Sequence, residues 1–108
     1  MKGTYLGEFE EVVLLTVGVL YNDAYGVAIT EELERQSGRP VSISAVHSAL
    51  NRLQEKGLVS SRMGGATAER GGRRKRHFTV SVAGSRALQD IRELRNNLWN
   101  LIPKTAME

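Results

Sequence analysis

Arg70-Gly-Gly-Arg-Arg-Lys-Arg-His-Phe78 is the stretch from which the fold of this chain can be read. Arg70, Arg73, Arg74, Lys75 and Arg76 place five cations within seven residues, hinged on Gly71 and Gly72. Upstream lies a short apolar–polar run, Leu58-Val-Ser-Ser-Arg-Met63. Downstream comes the alternating run Phe78-Thr-Val-Ser-Val82, which sets Phe78, Val80 and Val82 on one face and His77, Thr79 and Ser81 on the other. A cationic, glycine-hinged tip between two strand-like segments predicts a β-hairpin whose loop points charge outward. Directly after a helix–turn–helix pattern, such a hairpin is the wing of a winged-helix nucleic-acid-binding domain.

That pattern stands upstream. Leu6, Phe9, Val13, Val17 and Leu20 recur every three or four residues and predict a first helix, which Val12, Leu14, Leu15 and Val19 make apolar almost all round. Glu8, Glu10 and Glu11 read as its solvated start, where negative charge favours the helix dipole. Tyr21-Asn-Asp-Ala-Tyr-Gly26 is a turn. A second helix is expected over Val27 to Ser37, with Ile29 and Leu33 inward, ended by Gly38 and Pro40. Ser42 or Ser44 can cap a third helix running to about Lys56, with Gly57 as its left-handed exit and Leu58 folded back on it. Val46, Ala49, Leu50 and Leu53 form its apolar face. Ser44, His47, Ser48, Asn51 and Glu55 form the other, with Arg52 on the flank. A helix that offers small polar side chains outward can enter a major groove, so Ser44, His47, Ser48, Asn51 and Arg52 are the candidate base-reading residues.

Ser81 can cap a fourth helix that Pro103 stops. Ala87, Ile91, Leu94, Leu98 and Leu101 are spaced by four, three, four and three, a heptad-like seam broadened by Leu88 and Ile102. The organisation expected is a winged helix–turn–helix over residues 1–82, a dimerisation helix over 83–103 and a frayed tail over 104–108. The fold class is mainly α with a small β-hairpin.

Composition agrees with a single domain carrying one modest core, in need of a partner subunit to cover the seam, at 108 residues with 41% hydrophobic and 25% charged content. Residues 62–77 hold Arg62 and the five cations above against Glu69 alone, a net +5, which leaves −2 for the rest of a chain whose formal charge is +3. Basicity gathered in one place argues for a local polyanion contact. There is no cysteine, so neither a disulfide framework nor a thiolate metal site is expected. His47 and His77 lack a histidine at metal-ligand spacing, and no nucleophile–base arrangement is visible; no metal, cofactor or catalytic residue is expected. The longest apolar run, Val12 to Leu20, is too short to span a bilayer and follows acidic rather than basic residues, which points to a cytoplasmic protein without a membrane partner.

Three stretches together resemble the PadR family of bacterial transcriptional regulators. Leu14-Leu15, Tyr25-Gly26, Ile29 and Leu33 match its opening helices. Ser44-Ala-Val-His-Ser-Ala-Leu-Asn-Arg-Leu-Gln-Glu-Lys-Gly-Leu58 resembles its recognition helix, Gly-Thr-Leu-Tyr-Pro-Ala-Leu-x-Arg-Leu-x-x-x-Gly-Leu, at Ala49, Leu50, Arg52, Leu53, Gly57 and Leu58. Gly71, Gly72, His77, Phe78, Val80, Ser81 and Gly84 fit its wing. His47 and Ser48 depart from the family's Tyr-Pro, so contacts at the start of the third helix do not transfer residue for residue. The single C-terminal helix resembles the shorter subgroup. The resemblance implies a homodimer on double-stranded DNA, repression, a place at the bacterial nucleoid and, as in some members, an aromatic or drug-like effector at the dimer interface. Trp99, one position off the seam, is the candidate effector wall, against packing on the first helix of its own or the partner chain. The competing reading is a winged-helix protein-interaction or RNA-binding adaptor, and the basic tip beside a small-polar helix face speaks against it.

Overall fold

The computed structural model describes residues 6–64 and 75–107. Its order is α1 (Glu8–Leu20), a 3₁₀ turn (Tyr21–Asp23), α2 (Gly26–Ser37), α3 (Ile43–Glu55), β1 (Val59–Met63), β2 (Arg76–Val80), α4 (Val82–Leu101) and a 3₁₀ turn (Lys104–Met107). This is the expected winged helix–turn–helix followed by one long helix. The last turn falls where a frayed tail was expected; it closes after Pro103, whose carbonyl accepts the Ala106 amide at 2.9 Å.

The core lies where α1, α2 and α3 meet under the hairpin. Val13, Leu14 and Val17 from α1, Ile29 from α2, and Val46, Leu50 and Leu53 from α3 are its most completely enclosed side chains. Leu58, Val59 and Phe78 close it from the hairpin side. The broad stripe of α1 is buried on one side only. Leu15 and Val19 are exposed, and Leu15 and Gly18 line an open groove of about 620 Å³ between α1, β2 and α4.

Local chemistry sets the helix ends. The Ser42 hydroxyl accepts the Ala45 amide, so Ser42 rather than Ser44 caps α3. Gly57 leaves that helix at φ +75°, and the Leu58 amide returns to the Leu53 carbonyl at 2.9 Å. β1 and β2 pair antiparallel, with Ser61 opposite Phe78 and Met63 opposite Arg76. Tyr25 adds a one-residue bridge on the far side of β2 at His77, and the Phe78 amide donates to the Ala24 carbonyl at 2.8 Å. The hairpin is thereby tied to the turn before α2 as well as to α3.

Two expectations are corrected here. β2 begins at Arg76 and ends at Val80, so Val82 does not continue the strand face; it is the first residue of α4 and 78% exposed. The strand stops because the Ser81 hydroxyl accepts the Gly84 amide at 3.0 Å and starts the helix. Second, Glu10 is not a solvated helix-start residue. It is 7% exposed, and its carboxylate accepts Arg52 Nε of α3 at 2.7 Å and Nζ of Lys56, the C-cap of that helix, at 2.6 Å, besides the Gly7 amide at 3.3 Å. Glu11 pairs with Arg95 of α4, through Nη2 at 2.7 Å and Nε at 3.2 Å.

The first turn of α4 crosses the α3–β1 turn at backbone distance. The Ser81 amide donates to the Leu58 carbonyl and its hydroxyl to the Gly57 carbonyl. A Cβ on Gly84 would stand 2.1 Å from the Leu58 oxygen, closer than any side chain can come. Gly84→Ala should therefore lower stability by about 1–3 kcal/mol, the usual cost of forcing bulk into a packed contact, seen as a lower urea midpoint with an unchanged slope.

Glu10 also makes stability depend on pH. Burial alone would raise its carboxyl pKa, but hydrogen bonds from Lys56, Arg52 and the Gly7 amide, with the charge of Lys56, outweigh burial and hold it below the usual carboxylate range. A depressed folded-state pKa means a contribution that is complete above the unfolded value and lost as pH falls through the folded one. Glu10→Gln should cost about 1–3 kcal/mol at neutral pH, and the gap to wild type should close in urea titrations as pH falls below about 4.

Candidate nucleic-acid interface

The face of α3 opposite the core carries Ser44, His47, Ser48 and Asn51, all exposed, while Val46, Ala49, Leu50 and Leu53 are buried beneath them. The helical repeat separates the two sets, so the side chains available for base edges stand on a backbone fixed by core packing. Ser44 Oγ lies 2.9 Å from the capping Ser42 Oγ. Asn51 and Ser48 have no hydrogen-bond partner among the described residues, which leaves the Asn51 amide free for the paired donor and acceptor of an adenine edge.

His47 is less free than its place on the helix suggests. Its ring lies against the first turn of α2, where a Cβ on Gly26 would come within 2.6 Å of Cε1. Glycine at the head of α2 thus lets the imidazole close the angle between the two helices of the motif. Arg52 is held through one nitrogen. Its Nε is held by Glu10, so it braces α3 against α1 from the flank of the polar face.

The basic run divides in two. Arg70, Arg73 and Arg74 lie outside the described residues. Lys75 and Arg76 stand at the base of the hairpin rather than on a free tip. Lys75 Nζ sits 4.3 Å from the centroid of the Tyr25 ring, which also meets His77 edge-on at 5.5 Å. Arg76 Nη1 donates to Ser61 Oγ at 2.9 Å, and Gln54 Nε2 of α3 donates to the same oxygen at 3.0 Å.

The C-terminal candidates stand apart from this surface. Ala87 and Ile91 are half-buried against the body, whereas Leu94, Leu98 and Leu101 are exposed, Leu98 at 57%. Trp99 is 64% exposed and is not among the residues that line the α1–α4 groove. The groove is apolar along Leu15, Val80, Leu88 and Ile91 and is rimmed by the Glu11–Arg95 pair.

Glu10, Tyr25, Gln54 and Ser61 shape this interface, and the sequence pattern does not mark them as doing so. Ser61 alone leaves a trace, since strand alternation puts it on the face of Val59. The partners of Glu10 and Tyr25 come from elements remote in the chain, and Gln54 meets Ser61 only once the chain turns back at Gly57. Among the described residues no helix is long and apolar enough to cross a membrane, and no three His, Cys, Asp or Glu side chains are grouped to hold a metal.

Comparison with known proteins agrees with this architecture. The model of the transcriptional regulator PadR-like family matches residues 14–90. Among solved structures, RosR of H. salinarum is 24% identical with a TM-score of 0.70, over 91% of this chain and 81% of that one. A PadR family transcription regulator from Clostridium difficile R20291 is 20% identical with a TM-score of 0.68, over 88% and 94%. One from Eggerthella lenta DSM 2243 is 21% identical with a TM-score of 0.67, over 86% and 80%. At these identities the structural likeness shows the fold. A comparison with curated proteins gives no match.

As candidate DNA contacts, α3 and the basic run should fail differently. Asn51→Ala should relax the preference at particular base pairs by about 1–3 kcal/mol, with little change in salt dependence. Arg73→Ala with Arg74→Ala should weaken binding to all sequences alike and flatten the log–log salt slope by about 0.9 for each phosphate no longer neutralised. Fluorescence anisotropy on specific and scrambled duplexes across a salt series reads both.

Proposed function

Because the chain belongs to the PadR-like family of transcriptional regulators, we propose that it represses transcription by binding an inverted-repeat operator as a homodimer. A family of regulators rather than enzymes sets the chemistry as recognition, with DNA as the partner. In this reading residues 1–82 bind DNA through Ser44, His47, Ser48, Asn51 and Arg52 of α3 and through Arg70, Arg73, Arg74, Lys75 and Arg76 of the wing. Residues 83–103 join two copies along Ala87, Ile91, Leu94, Leu98 and Leu101, and 104–108 form the tail.

The observation that carries the proposal is the pairing of two surfaces that a lone globular chain has no use for. One is the small polar face of α3, held rigidly beside the cationic base of the wing. The other is the apolar seam on α4, where Leu94, Leu98 and Leu101 are exposed. Covering that seam with a second copy removes leucines from water and sets two reading helices in two-fold symmetry. Repression follows from occupancy of the promoter. Trp99, off the same seam, offers a stacking surface by which a flat aromatic or drug-like effector would release the DNA.

Genomic fragments retained by the purified protein should share an inverted repeat with half-site centres about one helical turn, or ~10 bp, apart. Leu94→Glu with Leu98→Glu should sediment as monomer and lose that preference. Protection of a single asymmetric half-site by wild type, or a folded dimer from the double variant, would refute the arrangement.

A further inference from the structure

Of the two described cations of the basic run, Arg76 differs from Lys75 in what it meets. Arg76 is the first residue of β2, opposite Met63, and strand alternation puts it on the side of Phe78 and Val80. That side of the hairpin is turned to the core, where Val59 and Phe78 are buried. Toward the tip the same face becomes polar. At that level Ser61 Oγ accepts both Arg76 Nη1 at 2.9 Å and Gln54 Nε2 at 3.0 Å. Gln54 belongs to α3, Ser61 to β1 and Arg76 to β2, so one oxygen joins the reading helix to both strands of the wing. Register makes this possible, because Ser61 faces Phe78 and Arg76 is its diagonal neighbour on the same face, within reach of a long side chain.

We infer that Ser61 is a positioning residue for DNA recognition: it holds Arg76 in the angle between α3 and the wing, so that the guanidinium meets a backbone phosphate in register with the groove that α3 reads. The inference rests on the reading of α3 and the hairpin as the DNA-facing elements. The chemistry suits the task. Ser61 acts as acceptor in both contacts, which leaves its own proton for a phosphate oxygen. Arg76 uses one nitrogen on Ser61 and keeps the rest of its planar fork, the geometry that matches phosphate. A free arginine loses rotamer freedom when it meets its ligand, whereas one already held has lost it in the unbound protein. Hydrogen bonds between exposed groups add little to stability, so the consequence of this triad is expected in binding rather than in folding.

Ser61→Ala, Ser61→Thr, Gln54→Ala, Arg76→Ala and the double and triple combinations would be compared on the duplex recovered from genomic fragments and on a scrambled one, by anisotropy across a salt series. Ser61→Ala should weaken specific binding about fivefold, the worth of one hydrogen bond. Its salt slope should not change, because Arg76 still reaches the phosphate; Arg76→Ala should flatten the slope. Ser61→Thr keeps the hydroxyl and should restore affinity. The losses from Gln54→Ala and Arg76→Ala should be non-additive with Ser61 present and additive once it is alanine. Wild-type affinity in Ser61→Ala, or additivity of Gln54 and Arg76 in the presence of Ser61, overturns the inference. So does an equal loss on both duplexes with a lower unfolding midpoint, which marks general damage. If wild type retains no duplex, the DNA reading itself fails and takes the inference with it, a result distinct from either of these.

Discussion

The carboxylate of Glu10 is the interaction on which the arrangement of helices depends. It sits near the start of α1, closed off from solvent, and takes hydrogen bonds from Arg52 in the last turn of α3 and from Lys56 at the C-cap of that helix. A buried carboxylate without partners would be costly; with two cations and the Gly7 amide it becomes a directional clamp. Apolar packing of Val13, Leu14 and Val17 against Val46, Leu50 and Leu53 supplies the bulk of the attachment but little angular precision. The ion pairs set how α3 is rotated about its own axis, and hence which side chains face outward.

The next residue carries the same logic to the other end of the molecule. Glu11 holds Arg95 on α4, so consecutive carboxylates of α1 are committed to α3 on one side and to α4 on the other. Between them α4 is seated by Gly84 on the Leu58 carbonyl, an approach that only a residue without a side chain permits. Beyond Ile91 its leucines, Leu94, Leu98 and Leu101, are exposed in their own chain. Both α3 and α4 are thus tied to α1 by ion pairs.

The wing is secured by a different kind of contact. Phe78 inserts into the core and its amide reaches the Ala24 carbonyl, while Tyr25 bridges β2 at His77 and carries Lys75 on its ring. The base of the hairpin is therefore as well anchored as the helices. Ser61 adds a polar link between that base and α3.

Much of this is legible in the sequence. The spacing of Val46, Ala49, Leu50 and Leu53 already divides α3 into a buried and an open face, Gly57 and Ser81 mark helix boundaries, and the four-three alternation from Ala87 to Leu101 foretells a helix too apolar on one side to stand alone. These are local properties, since periodicity, capping and turn chemistry act within a few residues of one another. The fate of each charge is not legible there. Glu8, Glu10 and Glu11 look alike in one dimension, yet Glu10 is buried between two cations and Glu11 grips a helix 84 residues away. Arg76 reads as one more cation of a basic tip until strand pairing sets it beside Ser61. An ionic or polar side chain takes its role from the partner that folding brings to it, and that partner is chosen by tertiary geometry rather than by neighbours in sequence.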